Sequence, residues 1–336
     1  MSKWKITGVL AAACSLVVGA PTQAAAGPSA AYIRAEGTNP TIAQKVLGYD
    51  RWVRSAGRPP GVLVLGSSRS VMIDPQRIRA VSDVTAYNAG VSNGAARELL
   101  TLASYADIRS PGQLPHLVIL LDLEAFARRA TTTRQLDYQR RILAARAACA
   151  NPTSCRLPWL RTARAIGSDA VARQRGGRPY TQTQRTDGRQ INGQLQQWEA
   201  QGVDLGAVRA RRIQQRITGF RPGGYFTQLY AVQQVSFERL LALANERGVE
   251  PVVALTSMHP DCIRLCGPAG WNARRAEVRA WLQEVDARRE FRLIDLSLPS
   301  MWGGSGRFFL DEVHLRDTGA ARVVDRLNRF GAFRPR

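Results

Sequence analysis

Short apolar runs alternate with segments of helical spacing along most of this chain. The runs at residues 62–65 and 117–121 are continuously apolar, which is typical of strands that are buried on both faces of a parallel sheet. Between them, Leu99, Leu100 and Ala103 repeat with the period of an α-helix. The pattern predicts an α/β fold, a doubly wound, flavodoxin-like parallel sheet of about five strands flanked by helices.

The predicted elements follow one another in strand–helix order. Strands are expected at residues 62–65, 84–88, 117–121, 251–255 and 291–296. Helices are expected at residues 74–80, 95–106, 226–247, 273–288 and 318–330, the first of them opened by Asp74 and Pro75 because aspartate caps a helix and proline suits its first turn. From about residue 127 to 225 the pattern weakens to broken helical stretches near 136–148 and 194–217. We therefore expect one domain over 27–336 with a large, mainly helical insertion at about 127–225.

The N-terminus has the layout of a secretory signal peptide. Lys3 and Lys5 precede an apolar run over residues 6–20, and small residues through Ala26 offer a cleavage site. A signal peptide over 1–26 predicts a periplasmic or secreted protein. An uncleaved anchor and a lipid-modified Cys14 are the alternatives, but the run is shorter than the ~20 residues of a spanning helix.

Export affects how the cysteines are interpreted. Cys149, Cys155, Cys262 and Cys266 remain after cleavage and form two close pairs, which predicts two local disulfides that staple loops. A zinc site built from the same four, with His259, is the alternative, although neither pair has the usual C-x2-C spacing. We expect no metal and no cofactor.

The formal charge of +21 comes almost entirely from arginine, since Lys3, Lys5 and Lys45 are the only lysines. Arginine suits carboxylate and phosphate groups, so an anionic glycan, a lipid head group or an acidic envelope partner fits, although scattered arginines also describe an ordinary basic surface. Nucleic acid is not expected, because aromatics make up only 7% of the chain and no stacking motif accompanies the basic residues. A monomer is expected.

Three segments carry residues for nucleophilic acyl transfer. Ser68 follows the first strand in Gly66-Ser67-Ser68-Arg69, and its hydroxyl would be the nucleophile. His314 would be the general base and Asp311 would orient it. His116 begins a strand and so lies at the opposite edge of the sheet, which leaves His259 as the competing base or a substrate contact. Ser67 and Ser70 are the alternative nucleophiles.

The second segment, residues 88–94, would complete the oxyanion hole. The amides of Ser68 and Gly90 are expected to point at the developing oxyanion, because these turns lie just beyond the carboxyl ends of strands.

Gly66-Ser67-Ser68, Asn88-x-Gly90 and Asp311-x-x-His314 resemble the first, second and fifth sequence blocks of the SGNH (GDSL-type) hydrolase superfamily. The Gly-Ser-Ser-Arg form of the first block, the signal sequence and the insertion are more similar to its envelope branches, such as the alginate-type O-acetyltransferases, than to small secreted lipases. The resemblance implies an SGNH-type fold and serine-based ester chemistry.

One block departs from that pattern. Where the family has an asparagine that donates to the oxyanion, this chain has Asp122-Leu123-Glu124, and an ionised carboxylate cannot donate. Arg69, Asn93 or Arg128 could replace that donor, and Arg69, Glu124 and His259 are candidate substrate contacts.

Two functions follow from these observations. The first is an exported serine esterase or O-acyltransferase that handles acyl groups, acetyl above all, of an envelope or extracellular polysaccharide or another ester substrate. The alternative is an SGNH-fold protein of the envelope that binds or assembles without turnover.

Overall fold

Five parallel strands form the central sheet of the computed structural model, which describes residues 40–128, 183–191 and 200–335. In chain order the strands are β1 (Val62–Gly66), β2 (Ala86–Asn88), β3 (His116–Leu121), β4 (Thr183–Gln184), β5 (Gln190–Ile191), β6 (Val252–Leu255) and β7 (Arg292–Asp295). The sheet runs β2-β1-β3-β6-β7, and every neighbouring pair is parallel. This is the flavodoxin-like order, so the predicted fold class and its strands are confirmed at this level.

Helices cover both faces of the sheet. They are α1 (Pro40–Ala56), α2 (Pro75–Ser82), α3 (Ala96–Arg109), α4 (Leu205–Phe220), α5 (Ala231–Glu246), α6 (Pro260–Cys266), α7 (Asn272–Asp286) and α8 (Asp317–Arg329). The predicted Asp74 cap is present, since its side chain accepts a hydrogen bond from the Gln76 amide at 3.0 Å. Neither α1 nor α6 was predicted from the sequence.

Alternate residues of each strand pack into two separate cores. On β1, Leu63 and Leu65 join the core that also takes in α1, α3, α5 and α7. Val62 and Val64 point to the opposite core, formed with α2 and α8. Burial on both faces explains why these strands are continuously apolar in sequence.

The described parts of the insertion hold an antiparallel hairpin and one helix. The hairpin β4–β5 lies against the edge strand β2, where the Asn88 amide donates to the Asp187 carbonyl at 2.9 Å. The buried Lys45 side chain of α1 links β2 to the hairpin, because its Nζ donates to the carbonyls of Asn88, at 2.9 Å, and of Gly188. The broken helical stretch predicted at 194–217 is described from residue 200 onward, and there α4 begins at Leu205, after its N-cap Asp204.

Other predictions fall outside the described residues: the signal peptide over 1–26, the helix near 136–148, and the pair Cys149 and Cys155. Within the ranges that the structure describes, no helix combines the length and the apolar character needed to cross a bilayer.

Candidate active site

Ser68 lies on a tight turn at the carboxyl end of β1. Gly66 closes the strand so near its neighbours that an added Cβ would lie 2.6 Å from the Leu120 carbonyl oxygen. The turn is then held by Ser70, whose amide and hydroxyl both donate to the Ser67 carbonyl, at 3.0 and 2.7 Å. Ser67 donates its own hydroxyl to Asp122. Both neighbouring hydroxyls are therefore engaged in the turn, and only Ser68 presents its hydroxyl to a histidine.

Asp311 and His314 lie on a loop pinched by an antiparallel bridge between Phe309 and Leu315. The loop is fixed by a hydrogen bond from the Leu310 amide to the His314 carbonyl at 2.8 Å. Asp311 is fully buried, and its Oδ1 accepts the amides of Val313 at 2.9 Å and His314 at 2.7 Å. The aspartate therefore has one defined orientation, with Oδ2 left for the imidazole.

The three side chains form a continuous hydrogen-bonded line. His314 Nδ1 lies 2.7 Å from Asp311 Oδ2, and His314 Nε2 lies 2.9 Å from Ser68 Oγ. Because the carboxylate can only accept, Nδ1 carries the hydrogen and Nε2 is free to accept the Ser68 proton. This geometry matches that of a serine–histidine–aspartate triad, assembled from residues 246 positions apart.

The electrostatics keep Asp311 ionised. Burial alone would raise the pKa of its carboxyl, but the hydrogen bond and charge of His314 and the amides of His314 and Val313 outweigh burial. The pKa of Asp311 therefore lies well below its usual range. An ionised, oriented carboxylate stabilises the imidazolium that forms when His314 takes a proton.

The expected role of Gly90 in the oxyanion hole is wrong. Its amide donates to the Asn88 side-chain oxygen at 2.8 Å and so does not face a substrate. Asn88 is fully buried, and its Nδ2 donates to the carbonyls of Ser70 and Ile73, both at 2.8 Å. The Asn-x-Gly segment thus forms an Asx-type turn that supports the Ser68 turn from beneath.

Asn93 fits the oxyanion role better than Gly90. It is exposed, adopts a left-handed backbone conformation with φ of 56°, and lines the same cavity as Ser68. Neither the Ser68 amide nor any group of Asn93 has a hydrogen-bond partner among the described residues. Two donors are therefore available beside the nucleophile.

The segment Asp122-Leu123-Glu124, which is the third of the family's sequence blocks, forms a buried ion-pair network instead of presenting a donor. Arg69 Nη2 lies 2.8 Å from both Glu124 oxygens, and Arg69 Nε lies 3.6 Å from Asp122. Arg216 also contacts Glu124, at 2.8 Å, and then Glu312, at 3.1 Å. Burial alone would lower the pKa of Arg69, but Asp122 and Glu124 outweigh it and raise the pKa. Arg69 and Glu124, predicted as substrate contacts, are therefore paired with each other on the cavity wall.

Two functional candidates not predicted from sequence are Arg212 and Arg216, which lie one turn apart on α4. Arg212 donates to Asp311 Oδ2, the oxygen that also receives His314, and it lies 3.7 Å from Glu312. The insertion therefore places two arginines directly over the loop that carries the triad. The spacing of the two arginines was visible in sequence, but their carboxylate partners lie 92 to 99 positions away.

Ser68 opens onto a cavity of about 640 Å³ with mostly charged walls. This volume suits a small-molecule or sugar-sized ligand. The arginines that line it are paired, except that the exposed Arg128 has no ion-pair partner among the described residues. The lining residues are Ser67, Ser68, Arg69, Asn93, Arg97, Glu98, Asp122, Glu124, Arg128, Arg212, Gln215, Arg216, Tyr225 and Glu312.

Two of the four predicted disulfide cysteines are described, and the structure has them as thiols. Cys262 and Cys266 lie on α6 rather than on a loop, with their sulfur atoms 3.5 Å apart. A disulfide bond is about 2.05 Å long, so the predicted bridge between these two is not formed here. Successive turns of the helix bring the sulfurs into contact without bonding them.

Neither of the two other histidines hydrogen-bonds to a side chain of the triad. His116 begins β3 at the opposite edge, with Nε2 3.0 Å from the Ala332 carbonyl. His259 caps α6, and its Nδ1 accepts the Asp261 amide at 3.1 Å. In the part of the chain that the structure describes, no three His, Cys, Asp or Glu side chains are grouped so that they could hold a metal ion.

Comparison with protein-family models gives no match for this chain, and none of the curated proteins matches it.

Proposed function

We propose that this protein is an exported serine esterase or O-acyltransferase that acts through an acyl-enzyme on Ser68. The observation that carries the proposal is the line from Ser68 through His314 to Asp311, with contacts of 2.9 and 2.7 Å. The resemblance of its sequence blocks to the SGNH superfamily, together with the strand order, supports the same conclusion.

The first half-reaction acylates the serine. Ser68 Oγ attacks the ester carbonyl while its proton passes to His314 Nε2, and the carbonyl electron pair moves onto oxygen. The amides of Ser68 and Asn93 would stabilise that oxyanion. As the tetrahedral intermediate collapses, the ester C–O bond breaks and His314 returns the proton to the leaving alcohol.

The second half-reaction releases the acyl group. His314 removes a proton from water or from a sugar hydroxyl, whose oxygen attacks the acyl carbon. The bond from that carbon to Ser68 Oγ then breaks, and His314 returns the proton to Ser68. Water gives hydrolysis and a sugar gives transfer. The proposed substrate class is acyl esters, acetyl above all, of an envelope or extracellular polysaccharide, because the cavity walls are polar and charged.

A fluorophosphonate probe tests the nucleophile. The full-length protein should be labelled on Ser68, and Ser68→Ala should abolish labelling and p-nitrophenyl acetate hydrolysis together. Ser55→Ala, an exposed serine on α1, is the matched control and should change neither. Folded protein that neither reacts with the probe nor hydrolyses the ester would refute the proposal. N-terminal sequencing of the secreted protein tests export.

One observation favours a second candidate, an envelope protein that binds without turnover. The third block has its carboxylates locked in ion pairs with Arg69 and Arg216, where the family has a donor. Loss of one oxyanion donor costs about 10²-fold to 10³-fold in rate. Glycan binding that is unchanged by Ser68→Ala and by His314→Ala, in a protein without esterase activity, would identify this function.

A further inference from the structure

A second cavity, of about 410 Å³, lies where α4 and α6 meet the triad loop, the segment from Phe309 to Leu315 that carries Asp311 and His314. Arg209, Arg307 and Arg316 line it, together with His259, Gly306 and Phe309. No acidic side chain is among its described lining residues. The cavity therefore gathers three arginines, and the acidic group beside it is Asp261, whose carboxylate lies 3.6 Å from His259 Nδ1.

His259 presents a hydrogen-bond donor to this cavity. Burial and then the charge of Arg209 lower the pKa of His259, and they outweigh Asp261 and Asp311, which raise it, so the neutral ring is favoured. Because Nδ1 accepts the Asp261 amide at 3.1 Å, the ring hydrogen is on Nε2. Nε2 has no hydrogen-bond partner in the described ranges, and a Cβ on Gly306 would lie only 2.7 Å from it. Because residue 306 is glycine, no side chain there blocks His259 Nε2.

The arginines of α4 differ in how their charge is balanced. Arg212 and Arg216 are both paired with carboxylates. Arg209, one turn before Arg212, has no ion-pair partner among the residues that the structure describes. Arg307 is exposed, and its guanidinium lies 4.9 Å from the centre of the Phe308 ring. At least two guanidinium groups at this cavity are thus available to a ligand.

The cavity adjoins the reacting groups. Its histidine is tied to the triad loop, since the His259 amide donates to the Glu312 carbonyl at 3.0 Å. Arg316 follows His314 by two positions, and Arg209 precedes Arg212, the partner of Asp311, by about one helical turn. The cavity is therefore built on the same loop and helix that hold Asp311 and His314.

We propose that this second cavity binds an anionic oxygen group, a carboxylate or a phosphate, which the ester substrate carries on a unit next to the reacting ester. Guanidinium groups bind such oxyanions with charge-assisted hydrogen bonds, and the His259 N–H adds a directed neutral donor. The substrate part of this proposal rests on the proposed esterase or acyltransferase function, whereas anion binding itself does not.

Direct binding tests the site. Glucuronate and inorganic phosphate are titrated into full-length Ser68→Ala protein by calorimetry, with glucose as the uncharged comparison. Arg209→Gln with Arg307→Gln should weaken anion binding about tenfold or more, the effect of losing one to two charge-assisted contacts. Arg211→Gln, an exposed arginine on the same helix, is the matched control and should leave binding unchanged. Tighter binding of glucuronate identifies a carboxylate site, and tighter binding of phosphate identifies a phosphate site.

Substrate selectivity tests the link to the reaction. The measured quantity is the ratio of kcat/KM for an acetyl ester of methyl glucuronoside to that for the same ester of methyl glucoside. The double variant should lower this ratio about tenfold, and Arg211→Gln should not. Anion binding that is equal in Ser68→Ala protein with and without the two arginine substitutions overturns the proposal. Anion binding that is lost in the variant, in a protein without Ser68-dependent turnover, keeps the site and refutes the enzyme function instead.

Discussion

Asp311→Asn is the most informative perturbation of the triad, because the structure defines what both carboxylate oxygens contact. Oδ1 accepts two backbone amides, at 2.9 and 2.7 Å. Oδ2 accepts His314 Nδ1 at 2.7 Å and also Arg212. All four partners are donors, so an asparagine of the same shape must turn its NH₂ group towards two of them, whichever way the amide is placed.

The expected effect follows from charge and orientation together. The neutral amide no longer compensates the imidazolium that His314 becomes in the transition state, and it weakens the hold on the ring. The equivalent change in serine triads lowers kcat by about 10⁴-fold, which is roughly 5.5 kcal/mol of transition-state stabilisation. Because the Ser68 turn is built by other residues, substrate binding should change much less than kcat.

The assay is steady-state hydrolysis of p-nitrophenyl acetate, with folding checked by circular dichroism. Asp83→Asn serves as the control, since Asp83 is exposed and its left-handed backbone, φ of 60°, suits asparagine equally well. A folded Asp311→Asn protein with kcat within fivefold of the wild type would refute the triad mechanism, even if Ser68 were still labelled.

Three further predictions concern groups that support the site. Burial lowers the pKa of the Lys45 amine to about 7, although the charge of Asp187 acts to raise it. The folded protein therefore binds fewer protons than the unfolded one between about pH 7 and 10, so the free energy of unfolding should rise with pH across that window by up to about 1.4 kcal/mol per unit relative to Lys45→Met. Equal slopes in urea titrations of the two proteins would contradict this. Glu124→Gln should cost about 3 kcal/mol of unfolding free energy, because Arg69, whose side chain is 4% exposed, loses its bidentate partner; the surface variant Glu238→Gln should cost under about 1 kcal/mol in the same titration. Asn88→Ala should lower both stability, by about 3 kcal/mol, and kcat, because three buried backbone groups beneath the nucleophile lose their partners; an unchanged urea midpoint would refute its supporting role.

The sheet and the triad were predictable because their signals are local. Continuous apolar runs gave the central strands, and each reactive residue directly follows a strand or lies on one short loop. The helix α1 also carried a usable signal, since Ile42, Val46 and Tyr49 recur at spacings of four and three and are all buried, but it was not recognised.

The remaining errors concern side-chain partners far apart in the chain. Nothing near Gly90 indicates that its amide is taken by Asn88, because an Asx turn and an oxyanion donor look alike in sequence. Similarly, the sequence shows Glu124 only as a residue that cannot donate to an oxyanion. Its ion pair with Arg216, 92 positions later, is visible only in the structure. The pairing of Cys262 and Cys266 was misjudged because a short helix stands where a loop was expected.

The hairpin at residues 183–191 covers the edge of the sheet that is formed by β2. β2 is the outermost strand, and its Asn88 amide is satisfied by the hairpin rather than by a further strand. The unpaired backbone N–H and C=O groups of an edge strand can pair with another chain and so promote aggregation. Removing residues 127–225 to shorten the protein would therefore expose the backbone of β2 at the edge of the sheet. A shortened protein of this kind should keep those nine residues in place.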